Sequence, residues 1–270
     1  MQEKLIHLIE SIVHNYAEIN HCQSDWGPPL IGFAQAEDPL FAQLRQVVSP
    51  THALPRDLLA EARTVLVYYL PFLPDIARSN KQGKLASLQW SLAYVESNRL
   101  ILDINRIVKQ ELNKYGYNST LLPATHNFDA KQLISDWSHR HVAYIAGLGT
   151  FGINNMLITD RGCAGRLGSI IMDIELVPTP RPDYEYCLYK YDGSCQLCIE
   201  RCPHQALSLD HFDRHRCYDI LLYNDSFYPD DMTADACGKC CVALPCSFIN
   251  PVAKLHNNKP PSKPVLQKEL

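Results

Sequence analysis

The chain has 270 residues, 46% of them hydrophobic, and a formal net charge of −4. That is enough apolar material for one or two cores, and the acidic balance argues against strong generic attraction to nucleic acid. No apolar run nears the roughly 18 residues a membrane span needs, so a cytoplasmic protein without a membrane partner is expected.

Residues 1–13 (MQEKLIHLIESIV) set Leu5, Ile6, Leu8, Ile9, Ile12 and Val13 among charged positions. This predicts an amphipathic first helix, since a secretory leader would have an uninterrupted apolar region. Pro28, Pro29 and Pro39 punctuate a loop-rich stretch around a short apolar piece at 30–34. Residues 57–63 can form a short helix, and 64–70 (TVLVYYL), β-branched and aromatic and closed by Pro71, predict a buried strand. Across 85–115, Leu88, Leu92, Val95, Leu100, Ile104, Ile107, Val108 and Leu112 recur at helical spacing up to Gly116, predicting one long helix or two abutting ones. A strand is expected at 117–122 and a helix at 131–146. A central strand is expected at 167–177, and Pro178, Pro180 and Pro182 then mark a linker.

Nine of the eleven cysteines fall between Cys187 and Cys246. Without a secretory leader this density argues for metal and against disulfides, because the cytosol keeps thiols reduced. Cys22 and Cys163 stand apart and read as ordinary small residues. Residues 195–203 (CQLCIERCP) hold Cys195, Cys198 and Cys202 followed by proline, the last three-quarters of a bacterial ferredoxin run, with Asp192 at the place of its first cysteine. Cys187 can fill that gap, with Asp192-Gly193 turning the chain; Asp192 is the alternative ligand. In two-cluster ferredoxins the cysteine before the proline serves the other cluster. The thiols then close as two sets: Cys187, Cys195, Cys198 and Cys246 for one [4Fe–4S] cluster, and Cys202, Cys217, Cys237 and Cys240 for a second. Cys241 is surplus or replaces Cys240. A zinc ribbon also uses paired cysteines, but has no need of the Cys-Pro element or the three-residue spacing.

Residues 146–152 (AGLGTFG) carry glycines at 147, 149 and 152. They nominally match a dinucleotide fingerprint but follow a helical pattern where that fingerprint needs a strand, which argues against NAD. They imply a helix end and then a backbone that closely approaches something flat or bulky, or else an ordinary cap and turn.

This loop, with residues 157–159 (LIT), 165–169 (GRLGS) and the cysteine module, resembles the epoxyqueuosine reductase family and its relatives, whose broader architecture the cobalamin-dependent reductive dehalogenases share. The resemblance covers about residues 30–250. It implies an α+β protein: a nitroreductase-like α/β domain over 1–182, a ferredoxin-like module with two [4Fe–4S] clusters over 183–250, and an extended tail over 251–270. It implies cobalamin beside Gly147, Leu148, Gly149, Thr150, Phe151 and Gly152, and a catalytic carboxylate upstream, for which Asp136 on the helix before the loop is the candidate. Where the family has an aromatic pair and a lysine, this chain has Thr150-Phe151 and Asn154. It also lacks the repeat domain that many members use to grip tRNA, which with the net charge argues against tRNA. The expected function is an iron–sulfur oxidoreductase that takes electrons from a ferredoxin or flavodoxin and reduces a small-molecule or modified-nucleoside substrate. The alternatives are an electron-transfer or corrinoid-reactivating protein without substrate chemistry, or a redox sensor.

Overall fold

The computed structural model describes residues 1–229 and 232–258. A three-stranded antiparallel sheet, ordered Leu30–Gln35, Thr64–Pro71, Gly165–Met172, stands between two helical layers. Before the long helix, the elements are α1 (Gln2–Ile19), β1 (Leu30–Gln35), α2 (Leu40–Val47), α3 (Pro55–Leu58), β2 (Thr64–Pro71) and α4 (Pro74–Ser79). They are followed by α5 (Leu88–Asn113), β3 (Phe128–Asp129), β4 (Ile134–Ser135), α6 (His139–Ile145), β5 (Gly149–Phe151), β6 (Leu157–Thr159) and β7 (Gly165–Met172). The cysteine-rich part adds α7 (Leu188–Asp192), α8 (Leu197–Glu200), α9 (Arg214–Asp225), a 3-10 turn at Lys239–Cys241, and finally α10 (Ala253–Asn258).

β2 is buried along its whole length, which is why its sequence is continuously apolar instead of alternating. Period-two geometry sends Leu66, Tyr68 and Leu70 into one core and Val65, Val67 and Tyr69 into the other. The first core is closed by α1 and α5. Leu5, Ile9, Val13 and Tyr16 form the buried stripe of α1, and Trp90, Ala93, Leu100, Ile101, Ile104, Val108 and Leu112 that of α5. Burying each large aliphatic chain contributes about 1.5–3 kcal/mol. Ser87 caps α5 by accepting from Trp90 N at 3.2 Å, and the helix terminates ahead of Gly116, whose φ is +80°. Two of the large polar side chains inside this core are paired: the Tyr68 hydroxyl donates to Asn105 Oδ1 at 2.8 Å and Trp26 Nε1 to Ser97 Oγ at 2.8 Å. The second core is closed by α2 and α6 around Phe41, Leu44 and Trp137.

Four expected elements differ. Only His139–Ile145 of the stretch 131–146 is helical. Upstream, Asp129 Oδ1 accepts from Lys131 N and Gln132 N, and Leu133 sits at φ +55°, so the chain forms a tight β3–β4 hairpin instead. Residues 117–122 make a single bridge, Ser119 to Met172, where a strand was expected. The helix expected at 57–63 is Pro55–Leu58, started by proline at its first position. In the tail, Ala253–Asn258 is helical where an extended chain was expected, and 259–270 lie outside the described residues.

The cysteine-rich part shares the first core. Tyr186, Cys187, Ala236, Cys241 and Val242 pack into the same buried cluster as the sheet. Backbone bonds stitch the two parts together: Cys163 N donates to the Cys246 carbonyl at 2.9 Å and Ala164 N to that of Ser247 at 3.0 Å.

Candidate functional site

Two groups of thiols stand around two separate cavities. The first cavity is lined by Cys187, Cys195, Cys198 and Cys246, with Gly152, Ile158 and Pro251. Cys187 directly precedes α7, and Gly193, at φ +80°, turns the chain back after that helix so that Cys195 and Cys198 return to the same cavity. Cys246 is held there by its carbonyl, which takes the Cys163 amide. Burial, then the neighbouring thiols Cys187, Cys240 and Cys195, pushes Cys198 up to about 12, so its thiolate form needs an adjacent positive charge.

The second cavity, of about 230 Å³, is lined by Cys202, Cys217, Cys237 and Cys240 and by two further thiols, Cys241 and Cys163. Ala206 N donates to Cys202 Sγ at 3.3 Å, and Cys240 Sγ lies 4.0 Å from Cys241 Sγ. The loop bearing Cys237 and Cys240 is pinned by the buried Lys239, whose ammonium donates to the carbonyls of Asn80 at 2.9 Å and Gln82 at 2.6 Å. Gly238 lies flat on the Trp90 indole, at φ +68°, where a Cβ would run into the ring. Burial raises Cys217 to about 12 and Cys237 to about 11. Among the described residues no three His, Cys, Asp or Glu side chains converge on a single ion position. Cys22 lies apart from both groups. Cys163 does not: it touches the second cavity and the larger one beside it.

That larger cavity, about 470 Å³, lies over the α6 face of the sheet. Tyr94, Met156, Cys163, Gly165, Arg166 and Phe212 are walls common to it and the second thiol cavity. Its lining includes Tyr69, Trp137, His139, Arg140, His141 and Arg214. The Tyr69 hydroxyl is buried without a hydrogen-bond partner, an orphaned polar atom of the kind a bound molecule satisfies. Burial first, then the thiols Cys163, Cys241 and Cys246, holds it well above the usual phenol range. Trp137 Nε1 donates to Ser169 Oγ at 2.9 Å. His139 Nε2 donates to the Pro123 carbonyl at 3.0 Å, so its Nδ1, 3.0 Å from Ser169 Oγ, accepts from that hydroxyl. Burial lowers His139 to about 4 and, with Arg140 nearby, His141 to about 3; both rings are neutral at pH 7.

Asp136 precedes α6 instead of riding on it. Its carboxylate accepts from His126 Nδ1 at 2.6 Å and Asn127 Nδ2 at 2.8 Å, and it is not among the cavity-lining residues, although its neighbours Ser135 and Trp137 are. The glycine loop also differs in what it approaches. A Cβ on Gly147 would lie 2.5 Å from the Pro180 carbonyl, and one on Gly149 would strike that of Ile158. Thr150 Oγ1 accepts from Tyr186 N at 2.7 Å, and Phe151 packs against His141 with ring centroids 4.7 Å apart. The close approach expected of these glycines is thus to the protein's own backbone. Of Gly147 to Gly152, only Gly152 lines one of these three cavities, the first thiol cavity.

The sequence reading missed Tyr69, Arg140, Arg166, Arg214 and Cys163. Tyr69 reads as strand filler, and the only local hint of Arg140 is a cation set between two histidines at the start of an apolar helix.

No family model matches the chain. An epoxyqueuosine reductase of Xanthomonas campestris pv. campestris is 38% identical over 97 residues, covering 34% of this chain and 25% of that protein. A crystal structure of epoxyqueuosine reductase with an epoxyqueuosine-modified tRNA stem loop superposes with a TM-score of 0.55 at 19% identity, covering 90% of this chain and 66% of that one. The structure of a reductive dehalogenase, a protein of B12-dependent dehalogenation, gives 0.60 at 16% identity, covering 88% of this chain and 33% of that one. The chain spans about a quarter to a half of the length of the curated relatives it matches. The resemblance to epoxyqueuosine reductases is therefore present in sequence and in fold, and those relatives are oxidoreductases. Among the described residues no helix is long and apolar enough to cross a membrane.

Proposed function

We propose that the chain is an iron–sulfur oxidoreductase of the epoxyqueuosine reductase kind, which carries electrons through two [4Fe–4S] clusters to a cavity where a substrate is reduced with the help of cobalamin. The observation that carries this reading is the partition of the thiols. Cys187, Cys195, Cys198 and Cys246 surround one cavity, while Cys202, Cys217, Cys237 and Cys240 surround another that shares walls with the wide cavity. Each group would hold one cluster. When bound, the clusters supply one-electron transfer and a corrinoid supplies low-valent cobalt.

The protein's own part follows from its side chains. Asp192, Gly193 and Ser194 beside the first group are exposed, which gives a ferredoxin or flavodoxin an approach there. Trp90, Met156 and Phe212 line the cavity of the second group and give it an apolar wall, which lowers the polarity around the thiols. The glycine loop is already filled by Pro180 and Ile158, so a corrinoid would be met at the wide cavity, whose roughly 470 Å³ takes only one edge or face of it and leaves the Tyr69 hydroxyl unpaired. That hydroxyl keeps its proton at neutral pH and belongs to a cavity-lining residue, whereas the Asp136 carboxylate is tied to His126 and Asn127 off the lining, so Tyr69 is the donor we favour. The substrate is a modified nucleoside, alone or within tRNA, or another small molecule.

The test is equilibrium dialysis of hydroxocobalamin against the reconstituted protein, followed by anaerobic addition of a reduced ferredoxin. Retained cobalamin whose spectrum changes only when the clusters are present is the expected result. Intact clusters with no retained cobalamin would reassign the protein as an electron carrier or sensor.

A further inference from the structure

We infer that the wide cavity takes a substrate bearing a carboxylate or phosphate group, held by Arg166 and Arg214 between aromatic walls. This rests on the oxidoreductase reading above and names the substrate class for it. Among the described residues the lining contains three arginines and no Asp or Glu. None of the three forms an ion pair with a carboxylate among the described residues. Arg166 donates from Nη2 to Asn98 Oδ1 at 2.7 Å and lies over the Tyr94 ring at 4.2 Å. Arg214 donates from Nη1 to the Gln132 carbonyl at 3.4 Å. Both therefore face neutral oxygens and keep donors of their planar forks for a two-oxygen anion.

The surrounding groups leave that charge uncompensated. Asp235, on the wall of the adjoining cavity, accepts the Tyr94 hydroxyl at 2.6 Å. His139 and His141 are neutral, with ring nitrogens engaged by the Pro123 carbonyl and by Ser169 and Ser138. Arg140 also faces Cys217, Cys240 and Cys241, so part of its charge belongs to the thiols, and Arg166 and Arg214 are the pair to test. Tyr94, Phe128 and Phe212, the partly exposed aromatic residues of the lining, supply the flat apolar sides that would hold the body of such a molecule.

The reconstituted protein, with and without hydroxocobalamin, is titrated calorimetrically with benzoate, uridine 5′-monophosphate and the neutral benzamide. At least one anion should bind about tenfold or more tighter than benzamide. Arg166→Gln and Arg214→Gln should each weaken the anion about tenfold while leaving benzamide unmoved, with Arg166→Lys retaining part of the affinity. Tighter benzoate assigns a small carboxylic acid; tighter nucleotide assigns a nucleotide phosphate. Equal binding of benzamide, no binding of either anion, or an exposed-site R214Q variant with unchanged anion affinity overturns the inference. Displacement of the anions by cobalamin also overturns it, since the arginines would then serve the cofactor's own phosphate. Iron and sulfide assayed on the same samples separate the two readings: full clusters without anion preference remove only this inference, whereas a protein that binds no iron removes the oxidoreductase reading.

Discussion

Gly238→Ala tests whether the second thiol group is held in place by packing. The residue sits at φ +68° directly before the turn Lys239–Cys241, and a Cβ there would run into the Trp90 indole. Trp90 cannot retreat freely, because it is buried in the first turn of α5 and packs edge-on against Phe72 with centroids 5.0 Å apart. A left-handed conformation costs a residue with a Cβ about 1–2 kcal/mol. Overpacking adds about 1–3 kcal/mol. Together these predict a destabilisation of about 2–5 kcal/mol, less than the whole stability of most domains. The fold should survive, with the strain relieved by displacing the loop that carries Cys237 and Cys240. In guanidinium unfolding followed by far-UV circular dichroism, the midpoint should fall. Iron should drop from about eight to about four atoms per chain, the first group keeping its cluster. Trp90→Phe in the same chain removes the struck edge of the ring and should restore part of both. Unchanged stability and iron content in Gly238→Ala would refute this reasoning.

Cys187→Ser should abolish or convert one cluster and leave the signal of the other intact in electron paramagnetic resonance; unchanged iron content would mean that Cys187 is not a ligand. Acid should destabilise the fold through His139. Its folded value of about 4 lies below the ordinary 6.5, so the unfolded chain takes up the proton first. Stability is then full above about pH 6.5 and falls as pH drops towards 4, by about 3 kcal/mol in all. His139→Gln should flatten stability between pH 6.5 and 4.5, and a slope identical to that of the parent would contradict the assignment. Ser169→Ala removes the partner of both Trp137 Nε1 and His139 Nδ1, and should cost about 1–3 kcal/mol in thermal or denaturant unfolding.

The parts of the fold that were legible in the sequence are those where one physical rule dominates. β2 was visible because a strand buried on both faces has no polar positions, and α5 because its buried stripe repeats over 26 residues. The stretch 131–138 was misread as helix because its apolar spacing is helical by accident, while Asp129 and the positive φ of Leu133 divert the backbone. The thiol groups were legible because ferredoxin spacing constrains the chain locally. Cys163 was not, because β6 and β7 bring it to the second cavity from outside the motif. The glycine loop was recognised, but a sequence reports that the backbone must come close without saying to what; here Gly147 and Gly149 meet the backbone of Pro180 and Ile158. Tyr69, Arg166 and Arg214 meet only through the tertiary fold, so no window of sequence contains them together.

The most direct test of the central claim is the metal and sulfide content of the anaerobically reconstituted chain. Two clusters predict about eight iron and eight sulfide per chain, falling by about half in Cys187→Ser and, independently, in Cys217→Ser. Stoichiometric zinc without sulfide, or a single cluster unaffected by either substitution, would contradict it.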